Sequence, residues 1–112
     1  MNKILHMLSS FFSKSEFDLD GYHFKNEYKK DKNNVLLDVR TVTEHDSGSL
    51  PSAINLDFLS SSFSSSAAAL PKDKAYFVFC RSGSRSSSAV SMMRKMGYNS
   101  YNLVGGIGAW PS

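Results

Sequence analysis

Two short blocks of apolar residues dominate the hydropathy pattern. Residues 35–39 (Val-Leu-Leu-Asp-Val) are nearly continuous in apolar character, and residues 75–79 (Ala-Tyr-Phe-Val-Phe) more so. Runs of that length, rich in β-branched and aromatic side chains, are expected of central strands buried on both faces. Residues 53–56 and 100–104 predict two further strands. Between them the period lengthens. Asp20 is placed to cap a helix running to about Lys30, with Phe24 and Tyr28 four apart on its inner face. Leu59, Phe63, Ala67 and Leu70 fall at helical spacing through a serine-rich stretch, which predicts a serine-faced surface helix. Ala89, Val90, Met93 and Met96 mark the core face of another helix, with Arg94 and Lys95 in its last turn and Gly97 ending it. The polar stretch 41–52 reads as a loop with room for one helical turn, and a last short turn reaches Trp110. Strands alternating with helices predict an α/β fold: a mainly parallel sheet of about five strands flanked by helices on both faces.

The chain has 112 residues, which suits one domain, predicted over residues 16–112 behind an N-terminal extension at 1–15. That extension places Ile4, Leu5, Leu8, Phe11 and Phe12 on one helical face. It is read as an amphipathic helix lying on the domain or a partner. Membrane-surface contact and a degenerate export signal are the lesser alternatives. A hydrophobic content of 41% with 21% charged residues excludes a disordered chain. The net charge of +3 is modest, and Lys29, Lys30 and Lys32 cluster where a helix would end, so no nucleic-acid partner is expected. The single cysteine cannot form an internal disulfide and points to a reducing, cytoplasmic setting. His6, His23 and His45 are scattered without metal-ligand spacing, and neither a metal nor a cofactor is expected.

That cysteine, Cys80, follows the most apolar strand directly. Arg81, Ser82, Gly83, Ser84 and Arg85 come next, and then a helix. In an open parallel sheet, ligands bind where strands end and helices begin. A short loop with a central glycine can turn successive N–H groups toward one point, here the sulfur or an anion bound to it. The helix adds its positive pole, and Arg81 and Arg85 add full charges. All of these favour a thiolate, so Cys80 is the candidate nucleophile.

The string Cys80-Arg81-Ser82-Gly83-Ser84-Arg85-Ser86 resembles the active-site loop of rhodanese-like sulfurtransferases. Leu36-Leu37-Asp38-Val39-Arg40 resembles the strand end of that family. Glu44 with Gly48-Ser49-Leu50-Pro51-Ser52-Ala53-Ile54-Asn55 resembles its following segment, and Gly105-Gly106-Ile107-Gly108-Ala109-Trp110 its closing one. Ser49 stands where the family usually has histidine and Ser52 where it usually has glycine, which puts local loop packing in question. The resemblance implies a Cys80 persulfide that takes a sulfane sulfur from thiosulfate or a related anionic donor. It would pass that sulfur to cyanide or a thiol, such as that of a thioredoxin-like or other sulfur-relay protein. It further implies that Arg85 closes the loop. Pairing of Arg85 with Asp38 is then expected, together with an Arg40–Glu44 ion pair near the site, Arg81 at the pocket mouth, and Trp110 in the core. Ser82 and Ser84 are candidate hydroxyl donors to the persulfide.

Two other readings compete. The same fold carries phosphatases and arsenate reductases, whose loop has one more residue than the four between Cys80 and Arg85. A shorter loop encloses less volume and suits one sulfur atom better than a tetrahedral oxyanion. Non-catalytic rhodanese-like interaction modules typically lack the cysteine that this chain keeps.

Overall fold

The computed structural model describes residues 15–112. The strands are β1 (Asp18–Leu19), β2 (Val35–Asp38), β3 (Ile54–Asn55), β4 (Ala75–Phe79) and β5 (Asn99–Leu103). The helices are α1 (Gly21–Lys29), α2 (Val42–Asp46), α3 (Phe63–Ala68) and α4 (Ser84–Lys95), followed by a 3-10 turn at Ile107–Ala109. All strand pairs are parallel, in the order β1-β5-β4-β2-β3. The predicted α/β architecture is therefore present, with an added edge strand, β1. At two residues β1 carries too little pattern to be read from the sequence; it is held by pairing with β5.

Side-chain alternation divides the core into two. Leu37, Val39, Tyr76, Val78 and Cys80 face one side, where Phe63, Ala67, Ala89, Val90 and Met93 of α3 and α4 cover them. Leu36, Phe77, Phe79 and Leu103 face the other, under Phe24 of α1, with Tyr28 and Trp110 packed at the margin. Trp110 meets both Phe24 and Tyr28 edge-on. Cys80 continues the alternation of β4 and so emerges on the α4 side.

The local signals for three helices hold. Asp20 accepts the amide of His23 and caps α1. The one turn in the polar stretch is α2, closed by a reciprocal capping box between Thr41 and Glu44. Met96 supplies the cap of α4. The serine-rich helix is shorter than its apolar spacing suggests. Leu59 is 68% exposed, because Asp57 accepts its amide in a turn that starts the helix only at Phe63. Among the described residues no helix is long and apolar enough to cross a membrane. The predicted N-terminal extension lies outside the described residues, apart from Ser15.

Candidate active site

Cys80 leaves the end of β4 with no exposed surface, and the chain then turns through Gly83 into α4. Gly83 has φ 105°, a backbone conformation that an L side chain rarely adopts. As the N-cap of α4 it has no side chain to accept the free amides of the first turn. The sulfur takes that role. The Gly83 amide donates to Cys80 Sγ at 3.1 Å and the Ser86 amide at 3.4 Å, and the Ser86 hydroxyl lies 3.3 Å away. Burial is the largest influence on the thiol and pushes its pKa up. The Ser86 hydroxyl and the amides of Ser86, Gly83 and Ser82 outweigh it, so the pKa lies below the ordinary cysteine value. The positive end of the twelve-residue α4 acts in the same direction.

The loop is held from outside by the turn after β5. Ile107 donates its amide to the Cys80 carbonyl at 2.8 Å. Gly106 approaches so closely that a Cβ there would fall 1.9 Å from the Arg81 carbonyl oxygen. The resemblance of the Gly105-Gly106 segment thus has a steric meaning at one of its two glycines.

The ion pairs differ from those expected. Arg85 pairs with Glu44, not Asp38, through two parallel bonds of 2.7 and 3.1 Å. Arg40 pairs with Asp38, not Glu44, at 2.8 Å. Strand alternation gives the reason. Asp38 lies opposite Phe79 and shares its face of the sheet, whereas Cys80 and α4 lie on the other. The Arg40 guanidinium folds back over Phe79 to reach Asp38. Glu44, carried past the strand ends by α2, is left for Arg85. That pairing holds the Glu44 pKa at about 2, the Arg85 hydrogen bonds being the main cause.

Asp38 is fully buried and anchors the loop that precedes β3. Its Oδ2 accepts from Arg40, from His45 Nδ1 at 2.9 Å and from the Ser49 hydroxyl at 2.8 Å. Burial opposes the charge most strongly, but these bonds prevail and keep the Asp38 pKa below the usual carboxylate range. Ser49, at the family's histidine position, ties the loop to Asp38 through its hydroxyl, beside the imidazole of His45. Ser52, at the glycine position, adopts φ 67°.

Arg81, Ser82 and Ser84 form an exposed rim over the sulfur, with Arg85 half-buried beside them. The hydroxyl nearest the sulfur is that of Ser86 rather than of Ser82 or Ser84. Ser86 and its partner Asn102 went unassigned in the sequence, as did the contact of His45 with Asp38. Ser86 was detectable in principle, because the third residue of a helix has an amide without a carbonyl partner. Asn102 was not, since only the pairing of β5 brings it near.

The α/β sheet, the strand-loop-helix cysteine site and the glycine turn over it define a rhodanese-like domain. The family model described as Rhodanese-like domain matches residues 23–112, and the chain belongs to that family. A sulfurtransferase of Allochromatium vinosum is 38% identical over 77 residues, covering 68% of this chain and 70% of that protein. YtwF of Bacillus subtilis is 31% identical over 86 residues, covering 77% and 82%. The rhodanese-like domain protein of Staphylococcus aureus superposes with a TM-score of 0.72 at 25% identity, covering 85% and 91%. Together they support a rhodanese-type sulfurtransferase in general terms.

Proposed function

We propose that this chain transfers a sulfane sulfur by way of a persulfide on Cys80, with thiosulfate or a related small anion as donor. The Cys80 thiolate attacks the outer sulfur of thiosulfate, a new S–S bond forms, the original S–S bond breaks, and sulfite leaves with the electron pair. Cyanide or a thiolate then attacks the outer sulfur of the persulfide and restores the Cys80 thiolate. This is covalent catalysis in two half-reactions and gives ping-pong kinetics. The observation that carries the reading is the convergence of the Gly83 and Ser86 amides on one buried sulfur. Donors already in place stabilise an anionic sulfur without reorganisation, as an oxyanion hole does for oxygen.

Arg81 is assigned to meeting the anionic donor at the rim, where it is exposed. Arg85 has a different part. Its guanidinium is engaged by both oxygens of Glu44, so it braces α4 against α2 and is not presented to a tetrahedral oxyanion. This favours sulfur transfer over phosphate or arsenate chemistry.

The test is intact mass after incubation with thiosulfate under non-reducing conditions, beside Cys80→Ser. A gain of one sulfur atom, absent from the variant and released by cyanide as thiocyanate, is expected. No gain, with Cys80 shown to be reduced and open to alkylation, would exclude thiosulfate as donor.

A further inference from the structure

Behind the candidate nucleophile runs a hydrogen-bonded chain that the reaction above does not use. The register pairs Asp18 of β1 with Asn102 of β5, and Asn102 with Val78 of β4. Val78 faces α4, so Asn102 does too, beneath Ser86. Asn102 Nδ2 donates to Asp18 Oδ1 at 2.9 Å, and Asn102 Oδ1 accepts from the Ser86 hydroxyl at 2.5 Å. The Ser86 hydroxyl in turn lies 3.3 Å from Cys80 Sγ and 3.2 Å from the Gly83 carbonyl.

A count of protons gives this chain a direction. A carboxylate has none to donate, so Asp18 requires the NH₂ side of the Asn102 amide and turns the carbonyl side toward Ser86. That carbonyl oxygen accepts only. The Ser86 hydroxyl has one proton, and it faces three acceptors: Asn102, Gly83 and the sulfur. Whatever share Asn102 takes is withheld from Cys80. Ser86 and Asn102 are both buried, where each hydrogen bond made or lost counts for more than at the surface.

We propose that Asn102, oriented by Asp18, is a positioning residue that competes with the Cys80 sulfur for the Ser86 hydroxyl proton and so sets how acidic the thiol is. With the thiol neutral, the hydroxyl stays on Asn102. When the sulfur carries a full charge, the hydroxyl rotates toward it and gives up its bond to Asn102. The cost of that exchange keeps the thiol less acidic than an uncontested Ser86 hydroxyl would make it. In turnover, which rests on the persulfide reading, the same competition tempers how well the thiolate leaves when the acceptor takes the sulfur. The thiol itself can be examined without that reading. The other charged groups around the loop are Arg81, the Arg85–Glu44 pair with Asp57 toward Arg85, and the Asp38–Arg40 pair with His45 beyond β2. None of these bonds Ser86.

The experiment is the pH dependence of iodoacetamide alkylation, followed by intact mass; with one cysteine in the chain every adduct reports Cys80. Asn102→Leu removes the competing acceptor with the same heavy-atom branching and should lower the apparent pKa by about 0.5 to 1. Ser86→Ala removes the donor and should raise it. In the Ser86→Ala background, Asn102→Leu should have no effect, which separates competition for the proton from altered packing. Should Asn102→Leu lose its cooperative thermal transition, Asp18→Ala, on an edge strand, carries the same test. It frees the amide to turn its NH₂ toward Ser86, and it should lower the pKa only while Ser86 is present. An effect of the Asp18 charge alone would persist without Ser86. An unchanged or raised pKa in folded Asn102→Leu or Asp18→Ala overturns the proposal, and so does an equal fall with and without Ser86. Absence of thiosulfate turnover in the unsubstituted protein, with these pKa shifts present, would count against the sulfur-transfer reading instead.

Discussion

Replacing Gly106 with alanine tests whether the turn after β5 holds the loop in its working shape. Gly106 has φ 80° and ψ −169°, a region that is essentially reserved for glycine. An added Cβ would lie 1.9 Å from the Arg81 carbonyl oxygen, 2.3 Å from its carbon and 2.6 Å from the Ser82 nitrogen. All three are backbone atoms, so no side chain can swing aside. Restoring ordinary contact requires the turn and the loop to part by about 1.5 Å. Backbone strain and overpacking together cost about 2–5 kcal/mol. A displacement of that size at the reacting group lowers activity about 100-fold. Gly97→Ala is the comparison: it has φ 93°, with nothing within 4 Å of the added carbon, and it closes α4 away from the sulfur. It should cost about 1–2 kcal/mol from backbone strain alone and leave activity intact below its melting temperature. Thiocyanate formation, the pH profile of Cys80 alkylation and thermal melting, measured on both variants, check this. If Gly106→Ala loses no more activity than Gly97→Ala, the turn does not shape the loop and the reasoning is wrong.

Glu44→Gln removes the charge that Arg85 holds. Because the folded pKa of Glu44 is about 2, below the ordinary 4.5, its stabilisation is complete above about 4.5 and lost as pH falls toward 2. The stability gap between the two proteins should therefore close over that window in denaturant titrations, and a gap independent of pH would contradict it. Ser49→Ala removes a charge-assisted bond to Asp38 and should cost about 1.5 kcal/mol in urea unfolding, while the alkylation profile of Cys80 stays in place. Ser52→Gly relieves a positive φ on an exposed residue. A gain of about 0.5 kcal/mol is expected after the entropy of the unfolded glycine is set against it, and a lower melting temperature would contradict that.

Much of this protein is written locally. The apolar runs at 35–39 and 75–79, the cap at Asp20, and the glycine after Cys80 are each decided by neighbours a few residues away. Pattern and turn chemistry therefore expose them, and the motif around Cys80 places the candidate nucleophile. What surrounds that sulfur is not local. Arg85 has Glu44 and Asp38 upstream at similar sequence distances, and only alternation about the strands puts Asp38 on the far face of the sheet and leaves Glu44 within reach. Asn102 meets Ser86 because β5 lies between β1 and β4, an order that no spacing along the chain reveals. The charge on Asp38 survives burial because donors from Arg40, His45 and Ser49 converge on it in three dimensions. Sequence names the groups that can ionise or donate; the tertiary structure decides which face each other, and with that the electrostatics of the site.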